Sequence, residues 1–168
     1  MGSFREIAPT DISGNAIQKI SKEWMLLAAE KENRVNMMTA SWGGMGFLWN
    51  KPVSFAFFRP QRYTLEFINA AETYSMTFFD ESFRSKLNLC GTKSGRDIDK
   101  ITECGFDVLS CEGTPYFEQA KLAVICKKLY VQRLESGCFI DSSINAANYP
   151  QNDHHYMFVG EIIKVLEK

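Results

Sequence analysis

The amino-acid sequence predicts a mainly β fold, an antiparallel barrel of about six or seven strands with three short helices inserted. Apolar segments rich in β-branched and aromatic residues recur along the chain, and turn-forming residues separate them, as in successive hairpins. Neither GxGxxG after a strand nor GxxxxGKS/T occurs, which disfavours a Rossmann or P-loop site. The chain has 168 residues, of which 45% are hydrophobic, and no linker divides it, so we expect one domain over residues 1–168.

The first half of the chain predicts a hairpin and a third strand. Residues 24–29 (WMLLAA) and 35–42 (VNMMTASW) flank the turn-prone KENR, which favours a β-hairpin. Glycines at 43–46 break the strand pattern, because glycine is depleted in strands. Residues 51–58 (KPVSFAFF) then resume it as an aromatic-rich strand buried on both faces, and Pro60 follows where that strand must end.

A helix is predicted over residues 63–72, where the apolar positions change to helical spacing. Leu65, Phe67 and Ile68 are expected to turn inward. Thr64 stands where an N-cap residue should be.

The remaining predicted elements, in order, are a strand over 73–79, a helix over 82–90, a helix over 97–104, one long or bulged strand over 117–135, and a last strand over 154–167 that closes the sheet. Gly91 and Gly105 are expected to end the two helices, because glycine adopts the left-handed conformation cheaply. The predicted elements together give three helices and an antiparallel sheet.

The net charge and the cysteine content limit the binding partners and the cellular compartment that we expect for this protein. A formal net charge of −1 provides no global field for binding nucleic acid or an acidic membrane surface. Neither a signal peptide nor a bilayer-spanning segment is evident, so we expect a cytoplasmic protein with reduced thiols. The five cysteines are dispersed and odd in number, which disfavours a disulfide framework or a zinc site. Cys126 is expected in the core, whereas Cys90 is placed in a loop where it could be exposed.

Two segments concentrate hydroxyl and cationic side chains. In NMMTASWGG, Thr39 and Ser41 project from one face of a strand, where they could bind a ligand or simply face solvent. In RPQRYT, Arg59 and Arg62 precede a helix N-terminus, which favours a phosphate through charge-assisted bonds and the helix dipole. A surface arginine beside a routine N-cap is the alternative.

A third segment, GTKSGRDIDK, combines glycines with Ser94, Arg96 and Lys100 and resembles an anion-binding nest that leads into a helix. A flexible charged turn is the alternative. Three anion signals in a nearly neutral chain favour a phosphorylated ligand, and the surrounding aromatic and Met residues suit a flat ring system. FMN meets both requirements.

Taken in order, these motifs resemble the flavin reductase-like proteins, and within them the flavoredoxin-type branch. The resemblance runs from about residue 24 to 163 and rests on VNMMTASWGG, KPVSFAFFRPQRYT, CGTKSGRDIDK, FEQAKLAVICKKLY and YPQNDHHYMFVGEI. It implies an FMN-binding split β-barrel, and a homodimer with FMN at or near the subunit interface.

The resemblance also implies roles for particular residues. Those implied to line the flavin are Asn36, Thr39, Ser41 and Trp42. Those implied to meet the phosphate are Arg62, Tyr63 and Thr64, with Ser94, Gly95, Arg96 and Lys100 completing the site. Asp97 and Asp99 are expected to cap and orient the loop, because they would repel a dianion.

His155 is the candidate catalytic residue, since related reductases carry a histidine near the nicotinamide side of the flavin at this place. It would contact a pyridine nucleotide or tune the ring, and simple exposure is the alternative. With the adjacent His154, this residue could suggest a metal site, but no residues nearby have the spacing of metal ligands, so no metal is expected.

The implied activity is that of an FMN-binding oxidoreductase in which NADH or NADPH passes hydride to flavin N5. A non-enzymatic FMN electron carrier that serves a redox protein partner is the alternative, and it would share every predicted site residue. A split-barrel oxidase acting on a phosphorylated amine would need a second anion site, which the sequence does not clearly contain. A module that only binds FMN, or binds no ligand, is the remaining alternative.

Overall fold

The computed structural model describes residues 3–168, and Met1 and Gly2 lie outside the described residues. The ten strands in that range are β1 (Arg5–Ile7), β2 (Met25–Lys31), β3 (Arg34–Ala40), β4 (Gly43–Leu48), β5 (Lys51–Phe58), β6 (Thr73–Phe78), β7 (Val108–Cys111), β8 (Thr114–Phe117), β9 (Leu122–Arg133) and β10 (Tyr156–Glu167). The α-helices there are α1 (Ala16–Gln18), which continues as a π-helical turn (Lys19–Glu23), α2 (Thr64–Ala70), α3 (Arg84–Thr92), α4 (Lys100–Cys104) and α5 (Ser142–Asn148).

Eight strands form one antiparallel sheet in the order β3-β2-β6-β9-β10-β5-β4, with β1 also paired to β10, while β7 and β8 form a separate hairpin. The two terminal strands of this path, β3 and β4, are consecutive in the chain and are joined only by Ser41 and Trp42. The sheet therefore curls until its ends approach, but no ladder closes the seam between them. This is the predicted antiparallel split barrel, and the prediction of fold class is confirmed.

The long strands β9 and β10 form the spine of the sheet, because β10 pairs with β9, β5 and β1. Two register shifts interrupt the β9–β10 ladder, one between Val159 and Gly160 and one between Ile162 and Lys164. The predicted bulged strand is thus confirmed, and each bulge increases the local twist that a curled sheet needs.

Strand β2 separates two hydrophobic cores. Leu27 and its same-face neighbours pack inside the barrel with Phe58, Tyr74 and Phe158. Leu26 and its same-face neighbours pack on the outside against α3, α4 and the hairpin. Successive strand residues point to opposite faces, so a strand buried on both sides is apolar at every position, as in the sequence MLLAA.

Several predicted boundaries were wrong for identifiable reasons. The glycines at 43–46 do not end the β pattern but form β4, in which a Cβ on Gly43 would lie 2.7 Å from the Phe55 carbonyl oxygen. Gly91 does not end its helix, which runs to Thr92, whereas Gly105 does end α4 in the left-handed conformation. Thr64 is the first residue of α2 rather than its N-cap, which is Tyr63.

The sequence analysis did not predict β1, α1 with its π-helical turn, the β7–β8 hairpin or α5. Each of these elements is short, so its apolar residues cover too few positions to show a helical or strand periodicity. The inward positions of Leu65, Phe67 and Ile68 are confirmed, and so is the burial of Cys126. Cys90, in contrast, lies fully buried in α3 rather than exposed in a loop.

Across residues 3–168, no helix is both long enough and apolar enough to cross a bilayer.

Candidate functional site

Two joined clefts lie beside the open seam, where β3, the start of α2 and the loop after α3 come together. We call the first, of about 170 Å³, the aromatic cleft; its lining is Met38, Thr39, Ala40, Ser41, Trp42, Phe57, Arg59, Arg62 and His155. We call the second, of about 290 Å³, the basic cleft; its lining is Met38, Arg59, Gln61, Arg62, Tyr63, Thr64, Thr92, Lys93, Ser94, Gly95 and Lys100. The clefts share Met38, Arg59 and Arg62, so they form one continuous groove.

The aromatic cleft is walled by flat rings. The Trp42 ring lies 5.3 Å from the His155 ring, and the edge of Phe57 meets the same imidazole at 6.3 Å. Trp42 is 48% exposed, so it is not a core residue. A cleft walled by these rings, with an exposed indole at its rim, suits a planar ligand.

His155 lies at the base of this cleft and is only 8% exposed. Its Nδ1 is 2.8 Å from the Tyr149 hydroxyl. Burial, reinforced by the positive charge of Arg59, lowers the pKa of His155 to about 4. The imidazole is therefore neutral at pH 7, and the alternative of a simply exposed histidine is wrong.

The basic cleft carries four cationic side chains and no carboxylate among its lining residues. Arg59 is already paired, because it donates to Asp153 and, at 2.9 Å, to the Asn148 carbonyl. Arg62 donates to the Gly91 carbonyl at 2.6 Å and has no carboxylate partner in the described part of the chain. Burial and then the nearby Arg59 charge lower the pKa of Arg62.

Lys100 has a different role from the one its charge alone predicts. It is 4% exposed, and its Nζ donates to the carbonyl oxygens of Met37 at 2.7 Å and Cys90 at 3.1 Å. Burial is the main cause that lowers its pKa. Lys100 thus joins β3 to α3 and leaves one of its three ammonium hydrogens for the cleft.

The loop between α3 and α4 approaches β3 very closely. A Cβ on Gly95 would lie 2.3 Å from Asn36 Oδ1, so only glycine fits there. The Ser94 hydroxyl accepts from the Arg96 backbone N–H at 3.1 Å, which orders the turn. Asp99 caps α4 by accepting from the N–H groups of Ile101 and Thr102, as expected for a loop-orienting carboxylate.

Two predicted residues face another cleft. Asn36 and Arg96 line a separate concavity of about 450 Å³ on the other side of Gly95. The Arg96 guanidinium pairs with Glu66 and stands over the Tyr63 ring at 4.5 Å. Asn36 is buried, and its amide donates to Thr64 Oγ1 at 3.1 Å. The two side chains therefore contact candidates of the basic cleft but line an adjoining concavity, which shares Tyr63, Gly95 and Lys100 with that cleft.

Phe57 and Lys93 line the groove and Tyr149 contacts His155 from behind it, but none of the three was selected from the sequence. Phe57 was read only as part of a buried strand, although its alternation with Phe58 places the two rings on opposite faces. Lys93 lies within the GTKSGRDIDK segment and was overlooked beside Arg96. Tyr149 contacts His155 because the chain turns between them, and no local sequence pattern predicts such a contact. Among residues 3–168, no group of three or more His, Cys, Asp or Glu side chains is placed to hold a metal ion.

A sequence profile of the flavin reductase-like domain matches residues 17–168. The chain belongs to the flavin reductase-like family. The family predicted from the motifs is therefore confirmed.

Solved structures agree with this assignment. A flavoredoxin from Methanosarcina acetivorans is 25% identical, with a TM-score of 0.68 over 87% of this chain and 68% of its own, which supports the predicted branch. An FMN-binding domain of a flavin reductase-like enzyme from Shewanella baltica is 17% identical, with a TM-score of 0.70 over 98% of this chain and 76% of its own. An FMN-binding protein from Thermus thermophilus, solved with bound p-hydroxybenzaldehyde, is 23% identical, with a TM-score of 0.68 over 100% and 82% of the two chains. The comparison with curated proteins gives no match.

We predict that Lys100→Met destabilises the protein by about 2 kcal/mol, because two carbonyl oxygens lose a charged donor in a buried site. The change keeps the aliphatic stem and removes only the ammonium group. Denaturant unfolding measures the loss. Lys93→Met is the matched control, since Lys93 is exposed, and it should change stability by less than about 0.5 kcal/mol. Equal stability of the two variants would show that the Lys100 bonds contribute nothing.

Proposed function

We propose that the continuous groove binds FMN, with the phosphate in the basic cleft and the flavin ring in the aromatic cleft. The observation that carries this proposal is the charge of the basic cleft, which has four cations and no carboxylate in its lining. Such a site attracts a dianion, and the adjoining aromatic cleft supplies flat apolar walls. Names of structural neighbours that include FMN binding support the same reading.

The residues present fit this cofactor. Arg62 supplies the charged donor, and Ser94 and Lys93 line the same cleft within reach of a phosphate. Thr39 donates its hydroxyl hydrogen to the Leu87 carbonyl, so toward a ligand it can act only as an acceptor. Ser41 lies at the seam and keeps its hydroxyl available. Ligand sites usually exceed about 300 Å³, a size that neither cleft reaches alone and that the joined groove provides.

We propose that the protein acts as an NAD(P)H-dependent flavin oxidoreductase. Bound FMN would supply a ring that takes up hydride at N5 and passes electrons onward. The chain's own contribution is to orient and partly desolvate the ring between Trp42 and His155. Because His155 is neutral at pH 7, it adds a hydrogen-bonding group without adding charge.

An FMN electron carrier is the second candidate, and the similarity to flavoredoxins favours it. A carrier would use the same groove and would exchange electrons with a protein partner. Trp42, which is half exposed at the rim, would then lie at the contact.

We also propose a homodimer. The surface formed by Trp49, Leu129, Tyr130 and Val131 is apolar, and each of these side chains is between 38% and 54% exposed. The Trp49 and Tyr130 rings lie 6.2 Å apart, so the turn between β4 and β5 lies close to β9 at this surface. Contiguous apolar surfaces on soluble proteins mark interaction sites, and a second copy of the chain would cover this one.

We expect Arg62→Met to weaken FMN binding by roughly 10- to 150-fold, the loss of one charged hydrogen bond of about 1.5 to 3 kcal/mol. Quenching of flavin fluorescence on titration gives the affinity. Riboflavin, which lacks the phosphate, should bind wild type and Arg62→Met alike. Arg5→Met serves as the control, because Arg5 pairs with Glu167 on a distant surface. A variant that loses riboflavin and FMN equally would place Arg62 away from the phosphate.

Anaerobic mixing of the FMN-loaded protein with NADH or NADPH separates the two candidate activities. A reductase should bleach the flavin absorbance band rapidly with at least one nucleotide. An electron carrier should stay oxidised with both nucleotides and be reduced by a redox protein. Absence of bleaching therefore contradicts the reductase and leaves FMN binding intact.

Wild type should have the mass of a dimer by light scattering at micromolar concentration. The double variant Leu129→Glu with Val131→Glu should be monomeric, since two buried charges would oppose the contact. Ile17→Glu, at a residue that is 76% exposed elsewhere, should leave the dimer intact. A monomeric wild type would overturn the dimer proposal.

A further inference from the structure

The position of the proton on His155 follows from its contact with Tyr149. The Tyr149 hydroxyl lies 2.8 Å from His155 Nδ1, and both side chains are buried, at 5% and 8% exposure. Either group could donate in this bond. A count of hydrogens on the two groups decides between the two arrangements.

Within residues 3–168, His155 Nδ1 is the hydrogen-bond partner recorded for the Tyr149 hydroxyl, and no other is present. If the imidazole donated, the phenolic hydrogen would be left unpaired in a buried place, which is costly. If the hydroxyl donates, the phenolic hydrogen is paired and Nδ1 is the acceptor. The neutral imidazole then carries its single hydrogen on Nε2.

The Nε2 atom faces the open cleft. It has no protein partner in the described part of the chain, and it is not among the fully buried unpaired atoms there. His155 lines the aromatic cleft beside Trp42. A ring with Nδ1 held from behind therefore points its N–H into the groove.

The phenol is itself held on two sides. The His154 ring stacks on Tyr149 at 4.7 Å, and the Arg59 guanidinium stands over the same ring at 5.2 Å. Arg59 is fixed in turn by its ion pair with Asp153. The donor direction of His155 is thus set by a packed cluster rather than by a mobile side chain.

We propose that Tyr149 is a positioning residue that holds His155 as the Nε2–H tautomer, so that the aromatic cleft offers one N–H donor to a carbonyl oxygen of its ligand. The identity of that ligand rests on the proposed function. Two groups offer such a carbonyl acceptor: a carbonyl of the flavin ring and the carboxamide of a nicotinamide. The pKa of His155, near 4, is consistent with a ring that carries a single hydrogen at neutral pH.

Nitrogen-15 NMR of the full chain tests the tautomer directly, because protonated and bare imidazole nitrogens differ widely in chemical shift. The chain contains two histidines, so assignment needs only a His154→Gln comparison. Wild type without added ligand should show Nε2 protonated and Nδ1 bare. Tyr149→Phe keeps the ring packing and should give a mixture of tautomers. Tyr130→Phe, which removes a surface hydroxyl bonded to Gln132, should leave the His155 signals unchanged.

Ligand titrations then identify the acceptor. A change of the His155 Nε2–H signal on adding FMN alone assigns the acceptor to the flavin. A change only when NAD⁺ or NADP⁺ is added to the FMN complex assigns it to the carboxamide. If the carboxamide is the acceptor, Tyr149→Phe should slow flavin reduction by about fivefold, in line with the loss of one hydrogen bond, and leave FMN affinity unchanged. If the flavin is the acceptor, the same variant should weaken FMN binding by about fivefold, for the same reason.

Three results would overturn the proposal. Protonated Nδ1 in wild type would reverse the direction of the Tyr149 bond. An unchanged tautomer in Tyr149→Phe would remove Tyr149 as its cause. A His155 signal that responds to neither FMN nor the nucleotides would remove the donor role. If FMN does not bind at all, flavin fluorescence reports that failure separately, and the ligand-free spectra still decide the part played by Tyr149.

Discussion

The buried ammonium group of Lys100 is the interaction on which the groove depends. It links the Met37 carbonyl of β3 to the Cys90 carbonyl of α3, and it does so from the first turn of α4. Three segments far apart in the sequence thereby meet at one point. The close approach of Gly95 to Asn36 and the bond from Thr39 to Leu87 act at the same junction. Because losing a hydrogen bond to a buried ammonium is costly, this junction tolerates little movement, and the walls of the basic cleft are correspondingly well defined.

The open seam of the barrel explains why the groove lies where it does. A closed ladder between β3 and β4 would hold the connecting residues in hydrogen bonds. In the split barrel, Ser41 and Trp42 span the gap with their side chains available at its rim. Positive charge concentrates at one end of this seam, and only Arg59 among the cations there has a carboxylate partner. The uncompensated remainder gives the basic cleft its preference for an anion, while His155 at the aromatic end adds no further charge because its imidazole is neutral.

Much of the fold could be predicted from the sequence because the long strands carry their own signal. The apolar alternation of β9 and β10 and the continuous apolar run of β2 identify strands wherever they lie. Short elements carried no such signal. The glycines of β4 gave no strand pattern, and the strands of the β7–β8 hairpin were too short to show one. The wrong helix ends share another cause. Gly91 lies inside α3 because Thr39 and Arg62, both distant in sequence, pack against that turn.

The sequence by itself determined the family, the antiparallel split-barrel class and the residue types that gather around the groove, because strand periodicity and the ordered motifs are local properties. Only the tertiary structure decided how those residues are used. It buried Lys100 against two carbonyl groups, turned Arg96 and Asn36 into a different cleft, and placed Tyr149 behind His155. The Lys100 contact with Met37 joins residues far apart in the sequence, and the Tyr149 contact with His155 depends on how the chain turns between them. All three outcomes also depend on the loss of water around each group. The sequence immediately around a residue does not show these contacts or this burial.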